Sequence, residues 1–195
     1  MFRAIAVSGL SIFIYQLYLY SQFNVLSLNI WLLTIGEIIT VVLVIFARFA
    51  KALKLDFISV ISMTVATYYF LFISFGDGIT LLPSFITSSI QVLALCFQIY
   101  AKICLGFSFG LLPANRGIVT RGAYRIVRHP IYFGYFLSHL GFILSNFNLN
   151  NLVIFAILYF FQSIRIWQEK KVLMLDTVYQ TYANRVKYRF LPYIF

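Results

Sequence analysis

Arg128-His129-Pro130-Ile131-Tyr132-Phe133-Gly134-Tyr135 sets an imidazole and a guanidinium immediately before an apolar run. A sequence does not place such groups beside a membrane-embedded segment without cost. A second set lies near the end of the chain, where Arg165 and Glu169 stand four residues apart after another apolar run. A guanidinium there can grip a carboxylate through two parallel hydrogen bonds, or it can reach out to lipid headgroups. Glu169 is either a binding carboxylate, a helix-start carboxylate favoured by the macrodipole, or a helix-surface partner of Arg165. Two further ionisable groups fall inside apolar runs. Glu37, flanked by Thr34 and Thr40, must have a partner on another helix or line a cavity, and His139 reads as an interhelix hydrogen bond.

These residues have to be positioned by membrane helices. The chain has 195 residues, of which 62% are hydrophobic and only 10% charged, and its mean hydropathy is +0.92. That is outside the range of ordinary soluble domains. Six apolar segments stand out, at 4–20, 28–46, 57–75, 79–100, 131–144 and 152–164. The first four match a bilayer core of about 20 residues; the last two are short enough to form a tilted or re-entrant hairpin. The expected fold is all-α, a polytopic transmembrane bundle of five to six segments. After the last one, Val172, Leu175, Tyr179, Tyr182 and Val186 recur at helical spacing, which predicts a C-terminal amphipathic cytoplasmic helix ended by Pro192.

Lys and Arg fall on one side of a six-span arrangement. Arg3 precedes the first span, Arg48, Lys51 and Lys54 follow the second, Lys102 to Arg128 follow the fourth, and Arg165 to Arg189 end or follow the sixth. The opposite connections, 21–27, 76–78 and 145–151, carry only Asp77. Both termini are therefore expected in the cytoplasm, and the net charge of +10 reads as topology and contact with anionic lipid, with no nucleic-acid partner. Cys96 and Cys104 are eight residues apart on one predicted helix, about 12 Å of rise, too far for a disulfide. No metal-ligand spacing is present, and no Gly-rich strand-to-helix turn of the dinucleotide-binding kind.

From Leu105 the chain reads LGFSFGLLPANRGIVTRGAYRIVRHPIYFGYFLSHLG, and from Arg165 RIWQEKKVLMLDTVYQTYANRVKYRFLPYIF. The Leu-Gly-x-Ser-Phe start, the Val-Thr-x-Gly-x-Tyr-Arg turn, Arg-His-Pro-x-Tyr-x-Gly, an acid after the last span and Tyr-x-x-Tyr-x-x-Arg-Val before Arg-x-x-Pro occur in that order. Over residues 105–195 this resembles the isoprenylcysteine carboxyl methyltransferase family. The resemblance implies an integral membrane methyltransferase that uses S-adenosyl-L-methionine and acts on a lipophilic or prenylated acceptor. Residues 1–104 would then form the scaffold and lipid groove, and 105–195 the cofactor-binding region. It also implies cofactor-binding roles for Tyr124, Arg128, His129, Pro130, Tyr132, Gly134 and Glu169, and catalytic roles for Arg165 and Glu169. Lys170 departs from the pattern, since relatives often carry a second acid there.

A carboxylate acceptor is ionised at neutral pH, so methyl transfer to it needs no general base. That accounts for a chain without an acid–base dyad. Three other readings share some of these features. A phospholipid or small-amine N-methyltransferase would need a base such as Glu169 or His139. A sterol-type reductase has an Arg-His-Pro-like segment but uses a nicotinamide cofactor. A non-catalytic lipid-binding membrane protein would explain the aromatics alone. Oligomeric state is not readable from this sequence, because lipid-facing and protein-facing helix surfaces are both apolar.

Overall fold

Turn formers and polar side chains decide where the apolar segments stop and how they meet. The structure, a computed structural model, describes residues 2–22, 28–74 and 78–190. Asp77, Pro192 and most of the first connection lie outside the described residues. Seven α-helices run in order among those described: α1 (Phe2–Ser21), α2 (Leu28–Ile45), α3 (Phe57–Tyr68), α4 (Ser84–Leu105), α5 (Pro130–Ser145), α6 (Leu149–Leu173) and α7 (Thr177–Arg185). The fold is thus mostly helical, as its composition requires. Two-residue strands β1 (Ala52–Leu53) and β2 (Ala114–Asn115) pair antiparallel, Ala52 opposite Asn115.

Two of these helices, α4 with its 3-10 extension to Ser108 and α6, are long and apolar enough to cross a membrane, and α2 and α3 contribute shorter apolar stretches, Trp31–Ile45 and Phe57–Phe72. The last apolar segment does not stop at residue 164. It continues as one 25-residue helix to Leu173, because Arg, Gln, Glu and Lys are good helix formers and the 165–171 stretch holds no Gly or Pro. Glu169 therefore sits near a helix C-terminus, where the macrodipole disfavours a carboxylate, and not at a helix start. Likewise Lys102 belongs to α4 and not to a cytoplasmic loop. Its side chain is fully buried and donates to Gly36 O at 3.0 Å.

Where α4 meets α5, glycine sets the distance. A Cβ on Gly134 would come 2.7 Å from Gln98 Cβ and 3.0 Å from its Cα, and one on Gly141 would come 2.8 Å from Gln91 Cγ. The two glycines and the two glutamines are each seven residues apart, so one antiparallel seam runs down both helices with backbones in close approach. Elsewhere the seams are polar. Ser59 Oγ donates to Gln168 Oε1 at 2.9 Å between α3 and α6. His139 on α5 sits between two hydroxyls, Tyr69 at 2.9 Å and Tyr159 at 2.7 Å, with its ring stacked on Phe155. That is the interhelix role read from the sequence.

The connections form two separate groups. Ser74 and residues 79–82 clasp 144–151: Ile79 bridges Phe147, and Ser74 O accepts from both Asn146 Nδ2 and Asn151 Nδ2. The basic connections are knitted together elsewhere. Arg48 N donates to Phe107 O at 2.8 Å, Lys51 N to Asn115 O at 2.7 Å and Lys54 N to Pro113 O at 3.0 Å, while Asn115 Nδ2 donates to Asp176 Oδ2 at 2.8 Å. This pairing of loop with loop is what satisfies backbone groups that leave the helices.

Replacing Gly134 with Val tests the α4–α5 seam. The added side chain has to push into the Gln98 backbone, a cost of about 1–3 kcal/mol. Thermal unfolding of the detergent-solubilised protein should show a clearly lowered midpoint, whereas Ser163→Ala on the exposed face of α6 should not.

Candidate functional site

Pro130 occupies the first turn of α5, where its missing N–H is no loss and its fixed φ starts the helix. His129 is then the N-cap residue: its carbonyl accepts from Phe133 N at 3.3 Å, but its side chain makes no capping bond. The imidazole is free to face inward. It is held there from outside the helix, since Arg128 N donates to Tyr188 O at 3.0 Å and His129 N to Arg189 O at 2.9 Å. The His-Pro segment and the C-terminal tail thus form one wall.

A second tie comes from α7. Asp176 caps this helix, its Oδ1 accepting from Val178 N at 2.9 Å, while Asn115 holds its other oxygen; these bonds keep the carboxyl below the usual carboxylate range. The stripe expected along one amphipathic helix is broken at 174–176: Val172 ends up on α6, and Leu175 lies exposed in the turn. Tyr179, Tyr182 and Val186 remain in register. They are buried against Tyr124, Leu105 and Ile118, and Tyr182 OH donates to Tyr124 O at 2.7 Å. The stripe docks onto the 104–124 loop. Burial raises the Tyr124, Tyr179 and Tyr182 hydroxyls above their ordinary pKa, so all three are neutral phenols.

Beside this wall lies a cavity. Tyr124, Arg128, His129, Tyr132, Arg165 and Glu169 all line it, together with Arg116, Gln162, Tyr179 and Tyr182. Pro130 and Gly134 do not; Pro130 is buried at the helix start and Gly134 faces Gln98. At its other extreme the cavity is lined by Leu10, Phe13, Leu33, Val41, Ala66 and Phe70 from α1, α2, α3 and the turn after α3. Polar and apolar ends therefore belong to one continuous space.

Charge at the polar end is arranged around one acid. Glu169 Oε2 lies 3.8 Å from His129 Nδ1, too long for a hydrogen bond. Nor is this an ion pair: burial first, then the nearby Arg128, Arg189 and Arg165, push the imidazole down to about 3, so His129 is neutral at physiological pH. Arg165 lies over the Tyr132 ring at 5.7 Å and donates from Nη2 to Gly110 O at 2.8 Å. Gly110 has no side chain because a Cβ there would fall on the Arg116 guanidinium. Arg116 is pulled below its ordinary pKa by burial, opposed by Glu169 and reinforced by Arg165, and it stays cationic because arginine starts so high. Arg116, Arg128 and Arg165 thus outnumber Glu169, which leaves this end of the cavity suited to an anion. Four buried polar atoms on the wall, Arg128 Nε, Gln162 Oε1, Arg165 Nε and Tyr179 OH, have no hydrogen-bond partner among the described residues. An orphan of this kind costs about 1–3 kcal/mol unless something fills the space.

Sequence reasoning missed Arg116, Gln162, Tyr179 and Tyr182 as wall residues. The two tyrosines carried a signal, their spacing, but it reads equally well as a lipid-facing stripe. Arg116 was indistinguishable from the other topogenic arginines.

The model of the isoprenylcysteine carboxyl methyltransferase (ICMT) family matches residues 89–175, which supports the resemblance carried by the motifs. The matched stretch takes in most of α4, the loop, α5 and α6, and so Arg116, Arg128, His129, Arg165 and Glu169 at the cavity's polar end. No curated protein matches the chain.

The neutral imidazole has a consequence for acid stability. His129 takes up its proton near pH 6.5 when unfolded and near 3 when folded, so its share of stability is complete above pH 6.5 and is lost as pH falls toward 3. Across that window the loss runs to about 1.4 kcal/mol per pH unit. Unfolding midpoints of wild type and His129→Gln measured from pH 7.5 to 4.5 should diverge, with the variant showing the shallower decline; parallel curves would mean that the ring is solvated.

Proposed function

We propose that the chain is an integral membrane methyltransferase of the isoprenylcysteine carboxyl type, which uses S-adenosyl-L-methionine to methylate the carboxylate of a lipophilic acceptor. The observation that carries this reading is the one cavity that joins an arginine-rich polar end to an apolar end among α1, α2 and α3. A water-soluble donor and a lipid-tailed acceptor can enter it from opposite ends. Residues 105–195 would hold the donor and 1–104 the acceptor's tail. The chain would be multi-pass, with both termini and the basic connections on the cytoplasmic side.

The residues present fit the donor. Its carboxylate matches the guanidinium groups of Arg128 and Arg165 and satisfies the orphaned Arg165 Nε, and its ammonium suits Glu169 and Gln162 Oε1. The aromatic faces of Tyr124, Tyr132 and Tyr179 suit an adenine ring and a sulfonium. Bound there, S-adenosyl-L-methionine would supply an electrophilic methyl group. His129, neutral and buried, adds a polar contact to the site without adding a positive charge beside the sulfonium. Pro130 and Gly134 act on binding through geometry, the one fixing where His129 enters α5 and the other holding α5 close to α4.

Arg165 would have the central part in the chemistry. Its side chain lies between Tyr132 and the Gly110 carbonyl, so it can hold a carboxylate without the freedom of a surface arginine. An acceptor carboxylate is already ionised, and orientation plus exclusion of water supplies the rate. Glu169 fixes the register of the charged cluster. The N-methyltransferase reading would require Glu169 or His139 to take a proton from an amine; His139 is held between Tyr69 and Tyr159 away from the cavity lining, which leaves Glu169 as the base that reading needs.

Purified protein in detergent or nanodiscs should bind S-adenosyl-L-methionine by calorimetry. His129→Ala should weaken that binding at least about tenfold, and Arg165→Ala should weaken it as much or more, the loss expected for a charge-assisted pair. Wild-type affinity in both variants removes the assignment.

A further inference from the structure

A second hollow, a groove between α5, α6 and the tail, shares part of its lining with the cavity. Along α6 it is lined by Tyr159, Ser163, Ile166, Trp167 and Lys170, spaced so that they share one face of the helix. That face runs about 16 Å from Tyr159 to Lys170. Phe136 of α5 and Phe190 of the tail form the other side, and the Phe136 ring meets Tyr159 and Phe190 edge-on, each at 5.6 Å. The groove opens outward from the bundle, since Trp167 is 56% exposed and Ser163 is exposed as well. Toward Lys170 its character changes. Arg128 and Arg189 join the lining there, at the level where His129 comes within 3.8 Å of Glu169, and no acid lines the groove among the described residues. Arg128 donates from Nη2 to Lys187 O at 2.9 Å, while its Nε is buried and has no hydrogen-bond partner among the described residues.

Resting on the reading above for its cofactor, we propose that this groove holds an anionic phospholipid of the cytoplasmic leaflet, with its phosphate on Arg128, Lys170 and Arg189, and that the bound headgroup tightens cofactor binding through Arg128. An aromatic strip that ends in cations matches an acyl chain that ends in a phosphate, and Trp167 stands at the boundary where an interfacial indole belongs. Basic pockets between membrane helices draw such headgroups. The occupant is not the acceptor. Tyr132, Arg165 and Glu169 line the cavity and not the groove, so an anion held on Lys170 is kept apart from the reacting end. Arg128, His129, Gln162 and Tyr179 line both spaces and form the partition between them. A guanidinium carries its five N–H donors in one rigid fork, so Arg128 can meet a phosphate on one side and the cofactor on the other. A phosphate that fixes the fork removes freedom that cofactor binding would otherwise have to remove.

The lipid is tested first, without cofactor. In the Trp31→Phe background Trp167 is the chain's remaining tryptophan. In phosphatidylcholine nanodiscs, a small fraction of phosphatidylglycerol brominated on its acyl chains should quench Trp167 at least about threefold more than the same fraction of brominated phosphatidylcholine. Lys170→Gln removes a charge and Ser163→Phe fills the groove, and each should bring the two lipids level. Cofactor affinity is then measured by calorimetry. It should rise at least about fivefold when phosphatidylglycerol is mixed into the phosphatidylcholine discs, and by less than about twofold in either variant. Glycerol phosphate added to discs of phosphatidylcholine alone should leave it unchanged. Equal quenching by the two lipids overturns the site. Selective quenching without the rise in affinity, a rise that survives both variants, or a rise supplied by glycerol phosphate alone overturns the coupling to a membrane lipid. All of these leave the methyltransferase reading intact. Failure of wild type to bind cofactor in either kind of disc overturns that reading and the coupling with it, while the quenching still decides the lipid site.

Discussion

Two backbone hydrogen bonds, from Arg128 N to Tyr188 O and from His129 N to Arg189 O, fasten the C-terminal tail to the residues that open α5. Arg128 and His129 leave the loop just before a helix whose first turn is fixed by Pro130, so their backbone N–H groups have no helical partner and must find one elsewhere. The tail supplies it. The same contact buries His129, and burial among arginines is what keeps its imidazole neutral. Tyr182, bonded to Tyr124 O, makes a further tie.

Membrane surroundings explain why charge here comes in closed groups. In low dielectric an isolated ion is expensive, and partners are cheap only when they are pre-positioned. Lys102 meets a helix carbonyl, an aromatic face and Glu37. Arg165 meets the Gly110 carbonyl and the Tyr132 ring. Each cation is thus anchored by groups that belong to the fold, and one face of each cluster is left to the cavity. At the polar end the surplus is positive, and at the apolar end it is a carboxylate oxygen.

Much of this was legible in the sequence, for reasons of different strength. The mostly helical fold followed from the long apolar runs, and the motif from Arg128 to Gly134 pointed to the cavity wall because ionisable groups are rare beside such runs. Helix ends were misread where charge was taken as a stop signal. Lys102 was placed in a loop and α6 was cut at 164, because hydropathy records the cost of charge and not the helix propensity of the residues that carry it. Glu37 was known to need a partner, but no local pattern could name Lys102, which is 65 residues away in sequence and joined to it only by the packing of α2 on α4. For Gly134 the resemblance implies a cofactor-binding role, whereas what approaches it in the fold is Gln98 of α4.

A nucleotide-binding sheet is a compact way to hold a soluble cofactor, yet it would leave a lipid acceptor to cross water before it met the methyl group. A cavity between helices avoids that step. On the proposed function, an acceptor's tail would stay among α1, α2 and α3, where Leu10, Phe13, Leu33, Val41, Ala66 and Phe70 line the cavity, and its carboxylate would be drawn only as far as Arg165. Desolvation of that nucleophile would then be largely complete before the donor is met, and the attraction that draws it there would be strong because the same low dielectric surrounds it. The cost is that such a site has to be walled by something other than a domain, and in this chain α7 supplies part of that wall through Tyr179 and Tyr182.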